Sequence, residues 1–125
     1  MESDLSSRKE IGRRGEEIAA TYLLENGFEV LRRNLRLESG EIDIVARDGD
    51  GVALIEVKTV RRSGLIDPTD KMDERKLRRY KRLFAEYFSI YHKQAPWRGR
   101  IDFIGVVLEP RPRIAHYRDI TGRFE

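Results

Sequence analysis

Residues 40–58, GEIDIVARDGDGVALIEVK, decide the predicted fold. Two runs of apolar residues flank the turn at 48–51, and an Asp-Gly turn between such runs is a strong hairpin signal. A two-residue turn and a four-residue loop give the same register, in which the numbers of paired residues sum to 99. Because strand side chains alternate between faces, this register places Asp43 directly opposite Glu56. Two acidic residues that face each other are destabilising, so their presence among apolar neighbours requires an explanation.

A divalent cation would explain the acidic pair. Mg²⁺, with Mn²⁺ as the alternative, takes one or two protein carboxylates, keeps several waters and binds a substrate phosphate. Lys58 lies one pleat beyond Glu56 on the same face, about 6.6 Å along the strand. There it would orient the attacking water or stabilise charge that develops on a phosphate. The alternative is an ordinary half-exposed hairpin, in which Glu41 pairs with Lys58, one of the acids faces solvent, or a bulge breaks the register.

Periodicity outside the hairpin predicts two helices and further strands. Helical spacing of apolar residues marks 11–25 and 72–91. The other predicted elements are strands at 28–37, 41–47, 52–58, 101–108 and 113–120, with a loop at 59–71. The order αβββαββ is that of an α/β or α+β domain. We expect one domain over residues 1–125, with a frayed segment at 1–10.

Composition narrows the classes of function. The 125 residues include no cysteine, which excludes disulfides, thiolate zinc sites and cysteine nucleophiles. The sequence has no apolar run of the roughly 18 residues that a membrane span needs and no apolar segment near its start, so we expect a cytoplasmic protein with no membrane partner. Charged residues make up 38% and the net charge is +3, which permits a nucleic-acid partner without demonstrating one.

The wider arrangement of motifs resembles a known family. An acidic residue on one strand, followed by Glu-x-Lys on the next, is typical of the restriction-endonuclease-like PD-(D/E)xK nucleases. The further matches, which extend over nearly the whole chain, are Gly12-x-x-Gly15-Glu16, Asn34-x-Arg36, Gly40-Glu41-Ile42-Asp43, Glu56-Val57-Lys58 and Arg100-Ile101-Asp102. This set resembles the YraN-like family of small bacterial proteins, akin to Holliday-junction-resolvase-type nucleases. The resemblance implies a restriction-endonuclease-like α/β fold with a mixed sheet flanked by helices.

The resemblance also implies a metal-dependent nuclease with a defined set of site residues. Asp43, Glu56 and the backbone carbonyl of Val57 would hold Mg²⁺, and Lys58 would be the catalytic lysine. Glu16 would supply a further catalytic carboxylate from the first helix. On a helical wheel Glu16 lies at the edge of the buried stripe, which agrees with that role. The alternative for Glu16 is a first-turn carboxylate that complements the helix dipole.

Basic residues near the motif predict contacts with phosphate groups. Arg61 and Arg62 lie on the predicted loop after the motif strand, and Lys76 lies on the flank of the buried stripe of the second helix. A solvated basic surface is the alternative for each of them. Members of the family that the chain resembles tend to carry a basic residue two positions after the motif lysine, where this chain has Val60. The resemblance therefore implies that a basic contact with the substrate has either shifted by one residue or been lost.

The predicted substrate is nucleic acid, DNA rather than RNA, with branched or single-stranded forms as candidates. Cleavage of both strands of a junction would suit a two-fold homodimer. A non-catalytic nucleic-acid-binding module that retains the nuclease fold is the alternative function. A protein-interaction domain that uses the sheet edge is a third hypothesis, and the fold alone does not choose among them.

Overall fold

The computed structural model describes residues 7–62, 72–92 and 98–121. Within these residues the elements are two helices, α1 (Arg8–Glu25) and α2 (Glu74–Tyr91), and five strands, β1 (Glu29–Leu37), β2 (Gly40–Asp48), β3 (Gly51–Arg62), β4 (Arg98–Glu109) and β5 (Arg113–Tyr117). Their order confirms the predicted αβββαββ arrangement. The single domain expected over the whole length stays a prediction, and the frayed segment expected at 1–10 falls partly outside the described residues.

Both helices begin at a side-chain cap. The Ser7 hydroxyl accepts a hydrogen bond from the backbone N–H of Glu10 at 3.0 Å, so α1 begins at Arg8, three residues before its predicted start. This cap satisfies a backbone donor that would otherwise have no partner in the first turn. The Asp73 carboxylate does the same for the N–H of Lys76 at 2.9 Å, and α2 begins at Glu74.

The strands form one mixed sheet in the order β1-β2-β3-β4-β5. The pairs β1–β2, β2–β3 and β4–β5 are antiparallel, whereas β3 and β4 are parallel. Parallel neighbours need a long crossover, and α2 lies between β3 and β4 in the chain. This topology is consistent with the restriction-endonuclease-like fold that the sequence predicted.

Strand β3 is longer than the sequence indicated. A loop was expected from residue 59, but β3 continues to Arg62, which lies beside Glu109 of β4. The extension depends on a parallel partner more than 40 residues away in the chain, so local breaker residues did not reveal it. Residues 63–71 of the predicted loop lie outside the described part of the chain. Strand β5 ends at Tyr117, before the predicted end at residue 120.

In the part of the chain that the structure describes, each face of the sheet carries one helix and one apolar core. The core on the α1 side contains Ala19 and Leu23 of the helix and alternate residues of the central strands, such as Ile44 and Ile55. The core on the α2 side is larger and is made by Ile42, Val45, Val52, Leu54, Met72, Leu77, Tyr80, Leu83, Tyr87, Ile101, Phe103, Val107 and Ile120. Neither helix in the described residues combines the length and apolar character needed to cross a membrane.

Helix α1 approaches β3 closely at Gly15. This glycine is buried, and a Cβ atom added to it would overlap the side chain of Thr59. The missing side chain therefore lets the helix backbone lie directly on the strand. Because Glu16 is the next residue, the same contact sets its distance from the sheet.

A buried polar cluster explains the Arg100-Ile101-Asp102 motif. Asp102 is fully buried and accepts hydrogen bonds from Arg100 Nε at 3.0 Å, His116 at 2.9 Å and the N–H of Asp119 at 2.9 Å. Burial raises the pKa of Asp102, but the bonds from His116 and Arg100 outweigh it and hold that pKa below its ordinary value. The other ring nitrogen of His116 is 2.9 Å from the hydroxyl of Tyr22. This motif therefore fastens β5 and α1 to β4.

Candidate functional site

The β2–β3 hairpin has the predicted register from its turn to the pair Ile44–Ile55, and the predicted pairs Asp43–Glu56 and Glu41–Lys58 are not part of the paired ladder. Its paired residues run from Asp48 opposite Gly51 to Ile44 opposite Ile55, and every pair sums to 99. Beyond the last of these pairs, the Asp43 carboxylate accepts a hydrogen bond from the backbone N–H of Val57 through Oδ2 at 2.9 Å. A side chain thus contacts the neighbouring strand at the point where the predicted acidic pair begins.

The alternation of faces in β2 breaks beside Asp43. The prediction placed Ile42 and Ile44 on one face, but Ile42 packs in the α2-side core and Ile44 in the α1-side core. The corresponding position on β1 is Asn34, between the pairs Arg33–Ile44 and Leu35–Ile42, and its φ of 50° lies in the left-handed region. Asparagine tolerates this conformation better than most residues. Asp43 lines a pocket together with Glu16 of α1 and Lys76 of α2.

Glu56 is buried, at 9% exposure, and both of its carboxylate oxygens have a partner on α2. The hydroxyl of Tyr80 donates to Oε1 at 2.8 Å, and Lys76 Nζ lies 2.9 Å from Oε2. The alternative in which this acid faces solvent is therefore wrong. Charged hydrogen bonds of this kind are stronger than neutral ones, so they hold the carboxylate in one orientation.

The charges of Asp43 and Glu56 affect each other. Burial, followed by repulsion from Glu56, raises the pKa of Asp43 from its ordinary 3.8 to about 8, although the bond from Val57 opposes this change. Burial and the same two carboxylates raise the pKa of Tyr80 well above 10, so its hydroxyl stays protonated and donates. Two acids that repel each other in a partly buried site favour a proton or another cation between them.

Glu16 reaches the same site from α1. Asn34 Nδ2 donates a hydrogen bond to Glu16 Oε1 at 2.9 Å, so the distorted position on β1 also orients this side chain. The charge of Glu16 contributes to the raised pKa of Asp43. The structure thus brings the predicted third carboxylate near the pair, as the helical wheel indicated.

A pocket of about 510 Å³ opens over these groups. Its lining includes four acidic residues and three basic residues, which are Glu16, Glu41, Asp43 and Glu56 and Lys58, Lys76 and Arg79. A second pocket, also of about 510 Å³, shares Lys58 and Glu16 with the first and adds Arg8 and Arg61. Glu56 is buried in the first pocket, whereas the basic residues Lys58 and Arg79 are exposed and form its rim.

The structure confirms some of the positions predicted for charged residues near the site and changes others. Lys58 is exposed where the two pockets meet. Glu41 lies across from Arg36 of β1, with Oε1 3.6 Å from Nη2, so this pair replaces the alternative pairing of Glu41 with Lys58.

Arg61 and Arg62 lie on β3 itself and not on the loop that was predicted for them. Both form ion pairs with Glu109, at 3.3 and 3.2 Å. Arg61 also lines the second pocket, whereas Arg62 is not among the residues that line either pocket. Both arginines therefore have a partner on β4, and Arg61 alone of the two lies at the candidate site.

The acidic pair suits a hard divalent cation. In the described residues no group of three or more His, Asp and Glu side chains surrounds one point as a ready set of metal ligands. Mg²⁺ does not require such a set, since it keeps several waters and uses one or two carboxylates together with substrate phosphate. Asp43 and Glu56 line the same pocket, and their repulsion, which helps to raise the pKa of Asp43, fits a cation here. The predicted carbonyl ligand from Val57 stays a prediction.

Comparison with known proteins places the chain in a family. Residues 15–106 match the family described as "Uncharacterised protein family UPF0102". This chain belongs to the UPF0102 family. A UPF0102 protein of Streptomyces griseus is 39% identical over 119 residues, which is 94% of this chain and 100% of that protein. One from Dehalococcoides mccartyi is 38% identical over 117 residues, covering 93% and 96% of the two chains. One from Arthrobacter is 38% identical over 112 residues, covering 88% and 94%.

Sequence reasoning missed three residues at the site of this UPF0102 protein. Tyr80 was interpreted as a core residue from its place on the buried stripe, and its hydroxyl has no separate signal in the sequence. Asn34 belongs to a motif of the resemblance, which could have pointed to it. Arg79 lies in a basic run of α2, where spacing alone does not distinguish a residue at the pocket from its solvated neighbours.

Proposed function

We propose that this protein is a metal-dependent nuclease that hydrolyses phosphodiester bonds in nucleic acid, DNA rather than RNA. The observation that carries the proposal is the pair Asp43 and Glu56, held at the end of a strand ladder under a basic rim. A protein that merely binds phosphate has little use for two repelling carboxylates beside it. Branched and single-stranded DNA are the first substrates to test, and two sites in a two-fold dimer would suit a junction.

The proposal gives each residue a distinct task. Asp43, Glu56 and the carbonyl of Val57 would hold Mg²⁺ or Mn²⁺. When bound, the cation supplies Lewis-acid stabilisation of the charge on the reacting phosphate. Lys58, exposed above the acids, would contact the phosphate and orient the attacking water. Glu16 adds negative charge from a position that Asn34 maintains.

Cleavage assays test the proposal directly. With Mg²⁺ or Mn²⁺ present, we expect Asp43→Asn, Glu56→Gln and Lys58→Met each to lower the rate of DNA cleavage by about 10²-fold or more, the scale of a lost catalytic group. Asp50→Asn, at the exposed hairpin turn, is the matched control and should cut as the unmodified protein does.

DNA binding should behave differently from cleavage. Binding depends on phosphate contacts and is expected to persist in the carboxylate variants with a strong dependence on salt. Cleavage at the unmodified rate by both Asp43→Asn and Glu56→Gln would refute the mechanism.

A non-catalytic nucleic-acid-binding module is the second candidate. The contacts of Glu56 with Lys76 and Tyr80 favour it, because they satisfy the buried carboxylate without a metal. This candidate predicts salt-dependent DNA binding with no metal-dependent cleavage of single-stranded, duplex or branched substrates.

A further inference from the structure

Lys76 contacts the same carboxylate that the proposed metal would use. Its Nζ lies 2.9 Å from Glu56 Oε2, while Oε1 of that carboxylate accepts the hydroxyl hydrogen of Tyr80. One ammonium group therefore neutralises one charge of the acidic pair that Glu56 forms with Asp43. A divalent cation cannot bind Oε2 at close range while an ammonium group remains there, because the two positive charges repel each other strongly in a partly buried site.

The two partners of Glu56 differ in their freedom to move. Tyr80 is fully buried in the α2-side core, so its hydroxyl stays where it is. The side chain of Lys76 is 29% exposed at the edge of the pocket. Its backbone is fixed separately, since the N–H of Lys76 donates to the Asp73 cap. The ammonium group can therefore leave Glu56 by rotation of a flexible four-carbon chain, without any movement of α2.

The pocket also supplies a place for the released group. Lys76 lines the same pocket as Lys58 and Arg79. A substrate phosphate in this pocket would lie close to all three positively charged side chains. Phosphate is a good partner for a lysine ammonium group. The Lys76 side chain thus has two alternative positions, one in contact with Glu56 and the other in contact with the substrate phosphate.

We propose that Lys76 is a tethered counter-ion of Glu56 that the metal displaces and the substrate phosphate then accepts, so that metal and nucleic acid bind cooperatively. The inference rests on the proposed nuclease function. In this account the empty site is neutralised internally, and the metal binds weakly until nucleic acid arrives. By thermodynamic linkage, each ligand then raises the affinity for the other by the same factor. Lys76 is a positioning residue in this scheme.

Calorimetric titration with Mg²⁺ tests the inference without any assay of activity. We expect Lys76→Met to bind Mg²⁺ about tenfold more tightly than the unmodified protein, or about 1.4 kcal/mol. Lys76→Gln, which keeps a hydrogen-bond donor without the charge, should shift in the same direction. Lys81→Met, on the exposed side of α2, is the matched control and should leave the affinity unchanged.

A second titration, with a non-hydrolysable DNA oligonucleotide present, measures the cooperativity. The oligonucleotide should increase the Mg²⁺ affinity of the unmodified protein by a larger factor than that of Lys76→Met. Thermal unfolding of each variant shows that it is folded, and Lys76→Gln provides the comparison if Lys76→Met is not.

The outcomes separate this inference from the proposed function. If the unmodified protein binds Mg²⁺ and Asp43→Asn does not, while both Lys76 variants bind as weakly as the unmodified protein or more weakly, the counter-ion inference is overturned and the metal site stands. If neither the unmodified protein nor any variant binds Mg²⁺, with or without DNA, the proposed function fails and the inference fails with it.

Discussion

Replacing Asp43 by Asn should stabilise the metal-free protein, and the gain should grow with pH. The carboxylate accepts one hydrogen bond, from the N–H of Val57, and an Asn oxygen can accept the same bond. The substitution therefore removes a charge while it preserves the shape of the site. The substitution thereby removes the free-energy cost of burying that charge and of its repulsion by Glu56.

The direction follows from the raised pKa of Asp43. In the folded protein this pKa is about 8, against an ordinary 3.8, so between those values the folded chain holds a proton that the unfolded chain has lost. Stability from this group is complete below about pH 4 and is lost as pH rises through about 8. The full pKa difference corresponds to about 6 kcal/mol. Because Lys76 neutralises Glu56 and the pocket is open to water, we expect about half of this free energy to appear as a change in stability.

Denaturant unfolding of the two proteins between about pH 5 and pH 9, with a chelator present, measures this effect. The free energy of unfolding of Asp43→Asn should exceed that of the unmodified protein by a margin that increases by about 2 kcal/mol over this range. Asp50→Asn, an exposed acid in the hairpin turn, is the control and should show no such increase. A margin that stays constant or shrinks with rising pH would refute the electrostatic account of the pair.

Three further substitutions test the packing around the site. Gly15→Ala should destabilise the fold by about 1–3 kcal/mol in denaturant unfolding, because α1 must move off β3; Gly12→Ala, which has open space, should cause no loss, and equal effects would contradict the close approach. Tyr80→Phe should cost about 1–3 kcal/mol by removing the buried donor to Glu56, and an unchanged midpoint would show that this bond is absent in solution. Asp102→Asn should cost about 3–5 kcal/mol, because a neutral amide cannot replace a carboxylate that accepts three bonds; full stability would contradict the proposed role of that motif.

The hairpin and its acidic pair were predictable because local rules determine them. The period of two in side-chain direction and the Asp-Gly turn at 48–51 leave one register, which the structure has. The paired ladder ends at Ile44 and Ile55, so the register brings the two strands together next to Asp43 and Glu56 without fixing the orientation of Asp43. The helices were predictable from apolar spacing, and their exact starts depend on the caps Ser7 and Asp73, which the apolar pattern does not include.

The remaining features depend on contacts that are distant in the sequence. The partners of Glu56 are 20 and 24 residues away and meet it only because α2 docks on the sheet. The extension of β3 to Arg62 requires its parallel neighbour β4. Ile42 and Ile44 lie on different faces of the sheet, and the facing residue Asn34 has a positive φ. An asparagine within a strand-like run of sequence does not by itself predict that conformation. The local sequence pattern therefore predicted which residues form the candidate site. The charged and hydrogen-bonding partners of those residues depend on tertiary packing.

The central claim, a cation held by Asp43 and Glu56, is tested most directly by a crystal structure of the protein with Mn²⁺ and a non-hydrolysable DNA oligonucleotide. Anomalous scattering would locate the metal. The account predicts a peak at coordinating distance, about 2.1 Å for a Mg²⁺-like ion, from oxygens of both carboxylates, with a DNA phosphate beside it. DNA bound across the pocket with no metal at the pair, or metal bound elsewhere, would contradict the account.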